Sequence, residues 1–216
     1  MNTPPPAEKL IYSDDEGVEI YGFRSTESNL YRDVLQVRND GKLPLNDELV
    51  RDYDSFSDHY IGRLNDKPFA TVTATRVSDG AFECQEFCPP EILKEFGQVA
   101  MSGCCAKVLP DVASHATLPI LIREGWRDQV KKGVRLDIIN ATGRLIPIYR
   151  RYYGYRLLGE EFTHPRLLTP TRLLYLAVDP ERDHRLARVF QGVNDPLPTA
   201  EIEKLMAPRV AEEAKQ

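Results

Sequence analysis

VRLDIINATGRLIPIYRRYYGYR, residues 134–156, decides the fold. It opens with a nearly continuous apolar run, 134–140, which reads as a strand covered on both faces. Thr142 is placed to cap a helix over 145–153. Pro147 falls near its first turn, where a missing N–H does no harm. Gly154 and Tyr155 then lead into another strand, 155–162. Upstream, Leu121, Ile122, Trp126 and Val130 give 118–132 a helical period, and Gly133 stops it. Before that helix, QVAMSGCCAKVLP (98–110) reads as a strand interrupted by Gly103 beside Cys104 and Cys105. Strand 98–109, helix 118–132 and strand 134–140 make one crossover unit of a parallel pair.

Working outward, Val18–Phe23 alternates and reads as a strand. A helix follows through Asn39, capped by Ser28 or Asn29, then a second short helix at 47–51 and an acidic turn, Asp52-Tyr53-Asp54. Segments 59–64 and 69–77, separated by Asn65-Asp66-Lys67-Pro68, form a hairpin. Pro89 and Pro90 start a short helix that Gly97 ends. The last strand is 173–178. Helices against a mixed, mostly antiparallel twisted sheet give an α/β (α+β) layer fold. The expected division is a flexible N-terminus over 1–17, the main layered domain over 18–179 and a helical C-terminal tail over 180–216.

Composition narrows the function classes. The 216 residues carry 42% hydrophobic and 28% charged side chains, as a soluble globular chain does. No apolar run approaches the roughly 20 residues of a membrane span, and the N-terminus lacks the pattern of a secretory signal. A cytoplasmic location is the expectation. The net charge of −5 is uneven: residues 1–60 hold thirteen acidic and six basic side chains, residues 121–156 nine basic and three acidic. A basic face on an acidic chain suits a compact acidic partner or a phosphate, and excludes general nucleic-acid affinity. Four cysteines, Cys84, Cys88, Cys104 and Cys105, have poor spacing for zinc, and no metal site is expected.

The order of these elements resembles that of the GNAT acyltransferase superfamily. Within it the chain is similar to the acyl-homoserine-lactone (autoinducer) synthases and the N-acyl amino acid synthases. The shared motifs are the acidic turn ending in Asp54, the strand end Thr73-Ala74-Thr75-Arg76, and Tyr149-Arg150-Arg151-Tyr152-Tyr153-Gly154-Tyr155, spanning 18–178. The resemblance implies a splayed central strand pair, 98–109 and 134–140, that admits the pantetheine arm of a thioester donor. It implies an acyltransferase moving an acyl group from acyl carrier protein, or CoA, to a small amine or amino acid. No cofactor is bound permanently; the phosphopantetheine thioester is the donor.

Two departures shape the mechanism. The loop 110–119 has no glycine, whereas CoA-using members hold the pyrophosphate on a Gly-rich loop; a carrier-borne donor needs none. Lys131, Lys132, Arg144, Arg150 and Arg151 are the candidate carrier-docking residues. Where the synthases place a Glu and an Arg around a strand serine, aligning Ser102 sets Ala100 and Gly103. The catalytic group must then come from elsewhere.

A thiolate on this strand would accept an acyl group by thioester exchange. Cys104 lies on the site face by alternation from Ala100 and Ser102; a bulge at Gly103 would favour Cys105 instead. Buried cysteines also serve simply as small hydrophobes. His115 is a candidate base and Tyr152 a candidate proton donor to the leaving thiolate. Arg76, Asp54, Ser102, Gly103 and Asn140 are candidates for binding substrate. The alternative is a non-catalytic GNAT-like binding or regulatory module.

Overall fold

The structure, a computed structural model, describes residues 8–45, 47–109 and 117–207. Eight strands form one sheet: β1 (Lys9–Ser13), β2 (Val18–Phe23), β3 (Asp58–Leu64), β4 (Lys67–Arg76), β5 (Ala100–Val108), β6 (Leu136–Thr142), β7 (Arg156–Thr163) and β8 (Pro170–Ala177). Their spatial order is β1-β2-β3-β4-β5-β6-β8-β7. All neighbours are antiparallel except β5 and β6. The mixed, mostly antiparallel sheet is the fold class the sequence implied.

Helices cover both faces. On one lie α1 (Tyr31–Arg38), α2 (Pro90–Phe96) and, late in the chain, α6 (Thr199–Met206), against Ile61, Leu136, Ile138 and Leu173. On the other lie α3 (Thr117–Lys131), α4 (Ile146–Tyr153) and α5 (Ala187–Phe190). There Leu121, Trp126 and Phe190 pack on Ile20, Phe69, Met101, Ile139 and Leu174. Strand alternation divides the side chains between the two cores.

One expectation about the chain ends differs from what is seen. Residues 9–13, assigned to a flexible N-terminus, pair with β2 as the sheet's edge strand. The segment after Asp179 is built in: Leu186 and Phe190 are buried in the α3 core, Leu197 and Ile202 in the α2 core. Their apolar side chains cover sheet area the shorter frame would leave wet. The hairpin is also tighter than the composition suggested. Asn65 and Asp66 alone form the turn, with φ of 48° and 65°, the left-handed pair a two-residue type I′ turn requires. Lys67 and Pro68 already belong to β4, opposite Leu64 and Arg63.

Candidate active site

The centre of the sheet is forked. β5 and β6 pair only at Ala100 with Leu136 and Met101 with Asp137. On its far side β6 pairs with β8 without a break from Leu136 to Thr142. From Ser102 outward, one edge of β5 therefore faces a gap. The next rung is made by a side chain: Gly103 N–H donates to Asp137 Oδ1 at 2.7 Å. A Cβ at Gly103 would stand 3.2 Å from Asp137 Oδ2 and 3.5 Å from Ile139. The glycine thus permits a close approach across the fork, and the bulge anticipated at Gly103 lies two residues further on. Beneath the gap, on the α3 side, is a mostly apolar cavity of about 50 Å³ lined by Met101, Gly103, Trp126, Asp137, Tyr149 and Tyr155, among others.

Between Thr71 and Thr73 on β4, the facing strand runs from Lys107 to Cys104, one residue longer. The extra residue is accommodated at Cys105, whose φ is 51°. Strict alternation would send Cys104 and Cys105 to opposite faces; the bulge turns both toward Tyr53. Cys104 is buried and Cys105 half-buried. The Tyr53 hydroxyl is 3.3 Å from Cys105 Sγ. The Cys105 thiol is pushed down to about 6 by the hydrogen bond from Cys104, then by the Arg38 guanidinium and the Tyr53 hydroxyl, against the cost of burial. The same contact with Cys105, together with burial, pushes Cys104 up. Burial alone drives Cys88 to about 12, and burial, with smaller, mutually opposing effects from Asn140 and Glu83, drives Cys84 to about 11. Of the four thiols, Cys105 is therefore the one whose surroundings favour the thiolate.

Tyr53 is also a wall of an open cleft of about 680 Å³. Glu83 sits in it, taking Arg166 Nη2 at 2.7 Å on one oxygen and Asn140 Nδ2 at 3.2 Å on the other. Burial disfavours its charge, but Arg166 and Asn140 hold the carboxyl below the usual range. Asn140 belongs to β6, so this contact draws the far side of the fork toward Glu83. His164 lies against the same carboxylate. Its Nδ1 accepts from the backbone N–H of Arg166 and Leu167, at 3.1 and 3.2 Å, which leaves the proton on Nε2, 3.7 Å from Glu83 Oε1. Burial lowers its pKa, so the ring is a neutral donor and not a base.

The remaining anticipated residues divide. Asp54 is fully buried and closed: Arg38 reaches it at 2.6 and 2.9 Å, the Tyr31 hydroxyl at 2.6 Å and Arg51 N–H at 2.8 Å. Fully buried, the carboxylate presents no oxygen at a surface that a substrate could reach. Arg76 pairs with Asp79, which also takes Arg24. Ser102 is buried opposite Thr75 on the Cys104 face. Tyr152 points outward, 42% exposed, with the Arg185 guanidinium 4.8 Å over its ring; Tyr149 and Tyr155 face the gap cavity in its place. Tyr149 and Tyr153, four residues apart, form the stripe of α4 that packs on the core, and Tyr152 lies beyond the edge of that stripe. His115 and most of the loop 110–119 lie outside the described residues.

The five basic residues do not share one surface. Lys131 and Lys132 end α3 beside the closed end of the fork, and Lys132 is engaged by Asp58 and Asp128. Arg144 follows β6 at the open end, and Arg150 and Arg151 are on α4. Arg123, Arg127, Arg151, Arg185 and Arg188 instead line a groove of about 710 Å³ between α3, α4 and the late segment. Sequence reading missed Tyr53, treated as part of an acidic turn, and His164, treated as a turn residue. Only the fold brings 53, 83, 105 and 164 together. Among the described residues no three His, Cys, Asp or Glu side chains converge as metal ligands. No helix there is long and apolar enough to cross a membrane.

A forked mixed sheet with helices on both faces is a GNAT-like fold, and solved structures share it. The acyl-homoserine-lactone synthase LasI superposes with a TM-score of 0.56 at 11% identity, over 74% of this chain and 88% of its own. FeeM, an N-acyl amino acid synthase from uncultured soil microbes, gives 0.54 at 12%, over 70% and 89%. An acyl-CoA N-acyltransferase from Pseudomonas aeruginosa gives 0.54 at 11%, over 74% and 99%. No family description and no curated protein matches the sequence.

Proposed function

We propose that this chain is an acyltransferase that takes an acyl group from a pantetheine thioester and passes it to a small amine or amino acid through a Cys105 acyl-enzyme. The observation that carries the reading is the half-buried Cys105 thiol at the β5 bulge, on the stretch of β5 that β6 leaves unpaired, with the Tyr53 hydroxyl 3.3 Å from its sulfur. Shared fold with acyl-transferring proteins supports it.

In the first half-reaction the Cys105 thiolate attacks the thioester carbon. The carbon–sulfur bond to Cys105 forms, the bond to pantetheine breaks, and the departing thiolate takes a proton from solvent. In the second, the acceptor's ammonium first gives one proton to solvent, and the free amine attacks the acyl-cysteine carbon from the Tyr53–Glu83 cleft. It loses its proton to Glu83 and Cys105 leaves as the thiolate. Glu83 attracts the acceptor's ammonium group, while Arg51 and Arg166 in the same cleft suit a carboxylate. A zwitterionic amino acid satisfies both. The donor rides on an acyl carrier protein, whose acidic surface meets the arginine-lined groove between α3 and α4, with CoA as the lesser donor.

Incubation with acylated carrier protein, followed by intact mass measurement, tests this. The wild-type chain and Cys104→Ala should gain the mass of one acyl group, and Cys105→Ala should gain none. An adduct that survives Cys105→Ala removes the assigned nucleophile. Turnover without any adduct, equal in both variants, replaces the covalent route with direct attack assisted by Glu83. Neither adduct nor turnover leaves a GNAT-like binding module.

A further inference from the structure

Asp137 sits at the floor of the fork, is 2% exposed, and is used by none of the steps above. Its described partners are neutral: Gly103 N–H at 2.7 Å, the Tyr155 hydroxyl at 2.5 Å and the Ile138 N–H. We propose that Asp137 is a positioning residue for the donor: it holds the Gly103 N–H in the free protein and takes up a proton when a thioester carbonyl replaces it there. This rests on reading the gap as the donor's slot.

The argument begins with the amide. Gly103 supplies the first β5 N–H beyond the last backbone rung, and it points into the gap. A thioester carbonyl that reaches the fork needs a donor, and this N–H stands at the floor. Taking it strips Asp137 of one of the bonds that stabilise its charge and sets a carbonyl oxygen against the carboxylate. Both changes disfavour the anion. The proton comes from solvent and returns when the donor leaves, so no covalent bond of the donor is touched. As the neutral acid, Asp137 has an O–H to give to the same carbonyl, as buried carboxylic acids held neutral do elsewhere.

The surroundings allow this. Tyr155 and, from α4, Tyr149 face Asp137, while Trp126 and Gln129 approach from α3 and Tyr60 from β3. None of these carries a charge at neutral pH. Asp58, Asp128 and Lys132 lie behind Tyr60 and Gln129, paired with one another. Burial without a cation already pushes Asp137 up to about 6. A second observation points to a ligand in the same cavity. Gln129 gives its Nε2 to Asp58 and Tyr60, and its buried Oε1 has no partner among the described residues. A pantetheine arm carries amide N–H groups that an orphan acceptor would take.

Isothermal titration of the full chain with S-acetylpantetheine, in two buffers of different ionisation enthalpy from pH 5 to 8, tests the proposal. Uptake should approach one proton per donor above pH 7. The dissociation constant should rise about tenfold per pH unit above roughly 6. Asp137→Asn should bind with no uptake and a flat profile. Tyr155→Phe keeps the carboxyl but removes a donor to its anion, and should move the onset to higher pH; it decides the matter should the Asn variant not fold. Wild-type binding without proton uptake, or uptake that persists in Asp137→Asn, overturns the proposal and leaves the donor slot standing. Absence of binding at every pH removes the slot, and this inference with it.

Discussion

Asp54 and Asp137 are two buried carboxylates built alike. Each accepts from a tyrosine hydroxyl, Tyr31 at 2.6 Å for the first and Tyr155 at 2.5 Å for the second. Each accepts a backbone N–H, from Arg51 or Gly103. The difference is one guanidinium. Burial opposes the charge of both, but Arg38 overrides it at Asp54 and holds that carboxyl below its usual range. Asp137 has no such partner and is raised to about 6. The first acid ties α1 to the sheet and is spent in doing so. The second closes the fork through neutral donors alone. A buried acid with a cation is scaffold here, and the acid without one marks the place where the sheet opens.

The largest effect should come from the scaffold acid. Asp54→Ala leaves Arg38 buried and unpaired, a loss of about 3–5 kcal/mol by the usual cost of breaking such a pair. Denaturant unfolding at pH 7 measures it. The pH sign follows from the lowered pKa. The stability Asp54 contributes is present above the unfolded carboxylate pKa and is lost as pH falls through its folded value. A variant as stable as wild type would mean the bidentate geometry contributes nothing net.

Arg38 serves a second group, because its field also favours the Cys105 thiolate. Alkylation by iodoacetamide should rise with pH through about 6 at Cys105 and then level off. At Cys84 and Cys88 it should keep rising far above that. At pH 7 the preference for Cys105 should be on the order of a hundredfold, since lower nucleophilicity partly offsets the larger thiolate fraction. Peptide mapping of the labelled sites gives the answer, and equal labelling would return Cys105 to an ordinary core cysteine.

Asp137→Asn should be gentler and of opposite pH sign. An acid whose folded pKa is raised contributes stability that is complete below its unfolded value, near 3.8, and lost as pH rises through about 6. The variant should therefore gain on wild type by about 2–3 kcal/mol between pH 4 and pH 8. A constant difference across that range would mean the carboxylate is as well held as Asp54.

The frame was legible because its signals are local. The apolar run into Asn140, the Gly133 and Gly154 stops and the Pro90 start each mark an element without knowledge of its neighbours. The site was legible in part. Cys104, Cys105, Gly103 and Asn140 could be named as candidates because they sit on strands whose pairing could be inferred. Their relation was not, because the bulge at Cys105 is set by Thr71 and Thr73 on another strand. Asp54 was read as a substrate ligand from its acidic turn. The partner that closes it, Arg38, lies 16 residues away on α1. Tyr152 stood out in a cluster of tyrosines, but the stripe that packs on the core is Tyr149 with Tyr153, and Tyr149 lines the cavity. Tyr53 carried no signal of its own, since nothing near it in sequence announces a thiol.

Tyr53→Phe is the smallest perturbation and isolates one bond. The hydroxyl is 3.3 Å from Cys105 Sγ, and it favours the thiolate by donating to it. The ring is buried and packs in either residue, so the fold and the Arg38–Asp54 pair should persist. Losing one hydrogen bond to a charged group costs about 1.5 kcal/mol, roughly one pH unit. The alkylation midpoint of Cys105 should move up by that amount, with Cys84 and Cys88 unmoved. Because Cys104 and Arg38 remain, the midpoint should stay well below that of an unperturbed thiol. A shift to the ordinary thiol range would make Tyr53, and not the neighbouring thiol and guanidinium, the group that activates Cys105.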